Sequence, residues 1–352
     1  MKIIAIGDPH FRVDNIPEVD MFIDRMEALA KAESPNVIII LGDVLHTHER
    51  IHTIPLNKAY EFIQKMSEIA PTYVLVGNHD YIQNQQFLTE NHWMNGMKSW
   101  GNVWVVDRVV HLALEEYDFV LCPYVPNGRF EEALNTLEDF DWKQSNCIFG
   151  HQEFYGCKMG AIVSVEGDKW DLTFPNVVSG HIHSRQKIQE NVYYPGSALQ
   201  HAFGESDKNS IAVLSFPEPT NSFYVLKEHD LCLPRKKIMY LDIERVDHFE
   251  VPQTEDDIKL TLKGSFEEFK AFKKTEKYKE LTRQGMTVVF KSDSKKVPDD
   301  KKEDEQSFAK TSEYDFKSIL RHLILEAQDD FLYVQYERVV NNHIVDPDEH
   351  VV

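Results

Sequence analysis

Val37-Ile38-Ile39-Ile40-Leu41-Gly42-Asp43-Val44-Leu45-His46 is an apolar run that stops at a glycine, followed by an acid and, three positions later, a histidine. An apolar run of this length without polar alternation predicts a strand buried on both faces. The same order recurs on either side. Residues 2–6 form an apolar run ending in Gly7-Asp8-Pro9-His10, and residues 72–76 form one ending in Gly77-Asn78-His79-Asp80. Between them the spacing predicts amphipathic helices over 17–32, with Val19, Phe22, Ile23 and Met26 on one face, and over 55–66, opened by Pro55. This strand–helix alternation implies an α/β fold with a parallel sheet covered by helices. Further strands are predicted at 103–106, 119–121, 147–149, 176–179 and 211–215.

Two later runs end the same way, in Gly150-His151 and in Gly180-His181-Ile182-His183. In an open α/β sheet, ligands gather beyond the carboxyl ends of the strands. Here five strand ends deliver Asp, Asn or His to that edge. A single Asp or Asn beside Gly is ordinary turn chemistry, but five such endings in order are not accounted for in that way. Asp8, His10, Asp43, Asn78, His151, His181 and His183 form a metal-ligand set by composition. Seven oxygen and imidazole groups exceed what one divalent ion with open positions needs. They suit two ions sharing a carboxylate. No thiolate belongs to the set, which points away from a structural zinc site. His181 and His183 alternate, so both imidazoles fall on one face of an extended segment.

Composition bounds the rest. The chain has 352 residues, with 38 Lys+Arg against 58 Asp+Glu and a formal charge of −20. Hydrophobic residues make up 42%, too many for a disordered chain. No run of about 18 apolar residues exists, which excludes a helical membrane span. The N-terminus lacks the long apolar region of a signal peptide. Cys122, Cys147, Cys157 and Cys232 form no CxxC pair, so a reducing cytoplasmic compartment is expected. The acidic balance argues against a protein that coats nucleic acid nonspecifically, but not against an enzyme that meets it at a local site.

After Leu233-Pro234-Arg235 the pattern changes. Strands are predicted at 237–243, 259–262 and 286–291, and a helix over 265–284 with Ser265 and Glu268 as a capping box. That helix carries Lys270, Lys273, Lys274, Lys277, Lys279 and Arg283 beside Phe266, Phe269 and Phe272. It is either a surface that contacts DNA phosphates or a solvated face diluted by Glu267, Glu268, Glu276 and Glu280. Residues 292–305 are almost devoid of apolar side chains and are expected to be a linker. A helical stripe, Phe316, Ile319, Leu320, Leu323, Ile324 and Ala327, follows. A lone helix of that length must bury its apolar face against something. The expected organisation is a catalytic domain over 1–234, a small α+β cap over 235–292, a linker over 293–310 and a helical segment over 311–352.

The series Gly7-Asp8-Pro9-His10, Gly42-Asp43-Val44-Leu45-His46, Gly77-Asn78-His79-Asp80, Gly150-His151 and Gly180-His181-Ile182-His183 resembles the calcineurin-like metallophosphoesterases. Within that superfamily, the chain is most similar to the SbcD-type nuclease subunits of double-strand-break processing complexes. His46 three residues after Asp43, Gly150-His151-Gln152, and Tyr194-Pro195-Gly196-Ser197 followed by Phe203-Gly204-Glu205 carry that resemblance. It covers residues 1–215. The first motif departs from it, because Phe11-Arg12 stands where these nucleases more often have Leu-Gly. A phage-type recombination endonuclease subunit fits the short, acidic version.

The resemblance implies a metallophosphoesterase sandwich of β-sheets flanked by helices. It implies one cation held by Asp8, His10, Asp43 and His183, and a second held by Asp43, Asn78, His151 and His181. Manganese is the expected metal, with magnesium as the alternative. His79 would stabilise the transition state or protonate the leaving oxygen, Asp80 would orient its ring, and His46 would help position the phosphate. Tyr194-Pro195-Gly196-Ser197 either shapes the pocket or is a turn leaving the sheet. The implied partners are double-stranded DNA ends and single strands, an SbcC-like SMC-type ATPase gripped by the 311–352 segment, and a second copy of the chain. The implied reactions are 3′–5′ exonuclease and single-strand endonuclease cleavage in repair, recombination and replication. The helices predicted over 55–66 and 85–100, with Phe62, Phe87, Trp93, Met94 and Met97, either form the dimer bundle or belong to the chain's own core. A phosphatase or cyclic-nucleotide phosphodiesterase, and a noncatalytic scaffold of the same fold, are the competing functions.

Overall fold

The computed structural model describes residues 1–48, 50–217 and 224–292, together with Ile324 and Tyr336. Met1–Asp293 is one compact unit and Ser294–Val352 a second. The expected linker and nearly all of the 311–352 segment lie outside the described residues.

The first half alternates as the apolar runs predict. It contains β1 (Lys2–Ile6), α1 (Ile16–Glu33), β2 (Val37–Ile40), α2 (Thr53–Ser67), β3 (Thr72–Leu75), β4 (Val103–Val106), β5 (Val110–Leu114) and β6 (Tyr117–Leu121). Then come α3 (Phe130–Leu134), β7 (Cys147–Gly150), β8 (Lys158–Met159), β9 (Ile162–Val163), β10 (Val177–Ser179), β11 (Gln186–Gln189), β12 (Val192–Tyr194), β13 (Ile211–Ser215) and β14 (Tyr224–His229). Twelve of these strands build two six-stranded sheets, the sandwich that the resemblance implies rather than one parallel sheet, and β8 and β9 pair with each other. The first runs β14-β13-β1-β2-β3-β4 and the second β11-β12-β10-β7-β6-β5. The β1–β4 pairs are parallel, and β13 and β14 add antiparallel strands at one side.

The sandwich explains the unbroken apolar runs. Ile3, Ala5, Val37 and Ile39 of the first sheet meet Phe119, Leu121, Phe149 and Val178 of the second in one core. Their sequence neighbours Ile4, Ile6, Ile38 and Ile40 point the other way, beneath Phe22 and Met26 of α1 and Phe62 and Met66 of α2. On the far side, Val120, Ile148 and Val177 are covered by Phe130, Trp142 and Trp170. With helices or loops on both outer faces, every position of β1 and β2 faces protein, so period-2 alternation disappears.

Two expected helices differ. Residues 85–100 form only a 3-10 helix at Trp93–Ser99, and Phe62, Met94 and Met97 are fully buried in the chain's own core. These three are therefore not an exposed dimer face. The helix expected over 265–284 is two helices, α4 (Phe266–Phe272) and α5 (Glu276–Arg283). Thr275 breaks it, because its hydroxyl accepts from the Tyr278 N–H and starts a new helix. The Ser265–Glu268 capping box forms as expected. These helices cover a three-stranded parallel sheet of β15 (Lys236–Asp242), β16 (Asp257–Gly264) and β17 (Thr287–Ser292), with its own core of Leu260, Leu262, Phe269, Phe272 and Leu281. Phe269 and Phe272 are thus interior, whereas Phe266 is exposed.

Candidate metal centre

All seven expected ligands come from loops leaving β1, β2, β3, β7 and β10, where both sheets end at one edge of the sandwich. Close approach there demands glycine. A Cβ on Gly77 would stand 2.2 Å from Asp43 Oδ1, and one on Gly42, at φ +106°, would stand 2.6 Å from His151 Nδ1. The ligand loops are also wound tightly, since Asp8, His10, Asp43 and His181 all have positive φ, between 39° and 77°. Non-glycine residues held there cost about 1–3 kcal/mol each, and such strain collects at functional sites.

Asp43 stands at the middle. Its Oδ1 accepts from the His79 N–H at 2.8 Å. Its Oδ2 lies 3.5 Å from His10 Nε2 on one side and 3.4 Å from His151 Nε2 on the other. His151 donates Nδ1–H to the Leu41 carbonyl at 2.6 Å, which aims its Nε2 at Asn78 Oδ1, 3.0 Å away, and at Asp43. His181 Nδ1 is 2.8 Å from the same Asn78 oxygen. Across the site, His10 Nε2 and His183 Nε2 face each other at 3.1 Å. Asp8 accepts the His181 N–H on Oδ1, and its Oδ2 is buried without a partner. Two ligand groups, Asp8–His10–Asp43 and Asp43–His151–His181, thus share Asp43, with the atoms of each within 4.8 Å of one another.

The electrostatics of this centre suit cations. Burial raises the Asp8 carboxyl, and Asp43 adds to the shift. Burial also works against ionisation of Asp43, but His151 and then His10 hold it well below the usual carboxylate range. Burial drives His10 far down and His181 to about 3, which leaves both as the neutral imidazoles that bind metals. His151 and His183 are the exceptions: Asp43 outweighs burial and holds His151 at about 9, and the Glu205 hydrogen bond and Asp8 outweigh burial and raise His183. A proton there occupies the position a cation would take. An orphaned buried carboxylate oxygen, imidazole nitrogens aimed at each other and oxygens converging on one Nε2 fit a pair of divalent ions.

At the rim, His79 lies between the rings of His46 and His48, with centroids 5.3 and 4.7 Å away. Its Nδ1–H donates to the His46 carbonyl at 2.7 Å, so Nε2 is the atom left for substrate. Asp80 does not orient this ring. Its carboxylate accepts from the backbone of Gly77, Val44 and Leu45 and from Trp93 Nε1, tying the two ligand loops together. The orienting role falls to the His46 carbonyl. Burial lowers the pKa of the His46 imidazole, whose Nδ1 is 3.4 Å from His10 Nδ1.

Two residues at the centre were not expected from sequence. His201 packs against His10 and His183, with ring centroids 4.7 and 4.8 Å away, and its Nε2 is 2.9 Å from the Asp8 carbonyl. Glu205 places Oε1 3.3 Å from His183 Nδ1, while Oε2 accepts from the backbone of His201 and Ala202. Neither follows an apolar run, and Phe203-Gly204-Glu205 was the only visible mark. Tyr194 and Ser197 brace the site from behind. The Tyr194 hydroxyl donates to the Gln152 carbonyl, and the Ser197 N–H donates to that of His183.

A shared carboxylate flanked by two imidazole-rich compartments is suited to hydrolysis of phosphoester bonds. The chain belongs to the calcineurin-like phosphoesterases, whose family model matches residues 1–185 and so spans all seven candidate ligands. It is 50% identical over 276 residues to "Putative phosphoesterase 244L" of Invertebrate iridescent virus 6, covering 78% of this chain and 97% of that one. It is 45% identical over 295 residues to "Putative phosphoesterase 078R" of Invertebrate iridescent virus 3, covering 83% and 84%. It is also 23% identical over 244 residues to an SbcCD nuclease subunit of Staphylococcus saprophyticus, covering 58% and 63%. The protein is a hydrolase of phosphoester bonds in a family that uses divalent metals. Among the described residues no helix is long and apolar enough to cross a membrane.

Proposed function

We propose that this phosphoesterase is a manganese-dependent DNA nuclease of the SbcD type, cleaving ends in the 3′–5′ direction and nicking single strands. The observation that carries the reading is Asp43 Oδ2 set between His10 Nε2 and His151 Nε2, with His79 Nε2 unengaged at the rim. Two cations bound there would supply Lewis acidity and lower the pKa of a water. Asp8, His10, Asp43 and His183 would hold one, and Asp43, Asn78, His151 and His181 the other. His79, fixed by the His46 carbonyl, delivers a proton from Nε2 to the departing ester oxygen when its ring carries protons on both nitrogens. His46 helps seat the phosphate.

Nucleic acid as the substrate is supported by the similarity to an SbcCD nuclease subunit. It is also supported by the exposed Lys270, Lys273, Lys274, Lys279 and Arg283 on α4, α5 and their junction. An SMC-type ATPase bound through residues 311–352, and a second copy of the chain, complete the assembly in this reading. The net charge of −20 favours a second reading, hydrolysis of small phosphodiesters such as cyclic nucleotides.

The full chain with Mn²⁺ should degrade end-labelled duplex and single-stranded DNA. Turnover of a chromogenic phosphodiester or cyclic nucleotide with DNA left intact would select the second reading.

A further inference from the structure

A cavity of about 500 Å³ opens against the metal centre, with His181 and His183 in one wall. The β8–β9 hairpin forms the second wall through Lys158 and Met159, and the loop carrying Phe203 and Ser206 forms the third. Both movable-looking walls are tied down. The Lys158 N–H donates to Gln186 Oε1 at 2.8 Å, and Gln186 Nε2 donates back to the Lys158 carbonyl at 2.9 Å. Glu205 anchors the other loop through the backbone of His201 and Ala202. The hairpin keeps apolar side chains in water beside the cavity, with Met159 39% and Ile162 66% exposed.

We infer that this cavity is a nucleoside subsite, which takes the base and sugar attached to the phosphate undergoing hydrolysis, with the base between Met159 and Phe203. The inference deepens the nuclease reading and rests on it. His181 and His183 belong both to the candidate ligand set and to the cavity wall, so the cavity lies beside the place where a phosphodiester would be centred. Its volume lies in the range that holds a small organic group. Its lining joins a thioether and an aromatic ring to a hydroxyl and an ammonium, which matches a base with apolar faces and polar edges. A second phosphate fits worse, because the Glu205 carboxylate stands in the wall against the single ammonium of Lys158. A base can enter only when unstacked, so the subsite favours single strands and frayed ends over duplex interiors.

The test uses two diesters with one leaving group, thymidine 5′-(p-nitrophenyl phosphate) and methyl p-nitrophenyl phosphate, with the full chain and Mn²⁺. The wild type should favour the thymidine ester by about tenfold or more in kcat/KM. Met159→Ala and Phe203→Ala should each collapse that ratio through KM, and Met159→Leu should preserve it. Binding of thymidine 5′-monophosphate against methyl phosphate, followed by NMR titration of the Mn²⁺-free and Mn²⁺-loaded protein, should show the same ordering without turnover. Equal handling of the two esters by the wild type, a ratio untouched by both alanine variants, or better turnover of a phosphoserine peptide than of the thymidine ester would overturn the subsite. DNA left intact while the ratio and its loss in the variants persist would overturn the nuclease reading and leave the subsite standing.

Discussion

The Nε2 atoms of His10 and His183 lie 3.1 Å apart, from residues separated by 173 positions in the chain. His183 is held in that pose from behind by Glu205, whose other oxygen is engaged by two backbone N–H groups. In Glu205→Gln the amide cannot serve both sides, because its NH₂ must face either those donors or the imidazole. Partners of this kind are worth about 10–100-fold in metal affinity. Manganese titration followed by electron paramagnetic resonance should show one site weakened by that factor and the other unchanged. Two unaltered sites would remove Glu205 from the account.

His79 meets the centre through its backbone N–H on Asp43 and an edge contact with the His10 ring, 4.9 Å between centroids, while its own ring is tied to the His46 carbonyl at the rim. His79→Ala should therefore lower kcat by about 10²–10⁴-fold, the usual contribution of a positioned proton donor. Metal analysis should still find two ions per chain. Loss of metal in the variant would contradict the assignment.

Asp8 is a case where function opposes stability. Its folded pKa is raised, by burial first and Asp43 next. A raised carboxyl gives stability that is full below the unfolded value and lost as pH rises through the folded one. At neutral pH the metal-free protein bears that penalty. Asp8→Asn should melt higher than wild type in EDTA, by roughly 2–4 °C per kcal/mol relieved, and should lose most of the rise that Mn²⁺ gives the wild type. A lower melting point in EDTA would refute the penalty.

The convergence of the seven candidate ligands was legible because each follows an apolar run buried in one of the two sheets. Chemistry at those strand ends could be read without knowing how the sheets stack. The second sheet was harder. Gln186–Gln189 is a polar edge strand with no apolar pattern, and Tyr117–Leu121 pairs with a half-buried partner strand, Val110–Leu114. His201 and Glu205 were hidden because their loop does not directly follow an apolar strand. The role of Asp80 was misjudged because adjacency to His79 in sequence suggested contact, whereas the turn sends its carboxylate to Gly77, Val44 and Leu45. The break at Thr275 was missed because the helical stripe continues across it, although a threonine can cap as readily as it can continue.

Metal loading should release protons. Without cations His151 is held at about 9, chiefly by Asp43 working against burial. That raised value stabilises the metal-free fold below its unfolded value of 6.5 and is lost as pH climbs through 9. A metal needs the Nε2 lone pair, so affinity should climb over the same window, by up to about tenfold per pH unit for one proton. Calorimetry at pH 7–8 in buffers of different ionisation enthalpy should give about one proton released from this histidine. Heats independent of buffer would contradict it.

The most direct test of the central claim is anomalous diffraction from crystals of the protein grown with Mn²⁺. The account predicts two peaks about 3.5–4 Å apart, with Asp43 touching both, His10 and His183 on one, and His151 and His181 on the other. A single peak, or manganese bound away from Asp43, would contradict it.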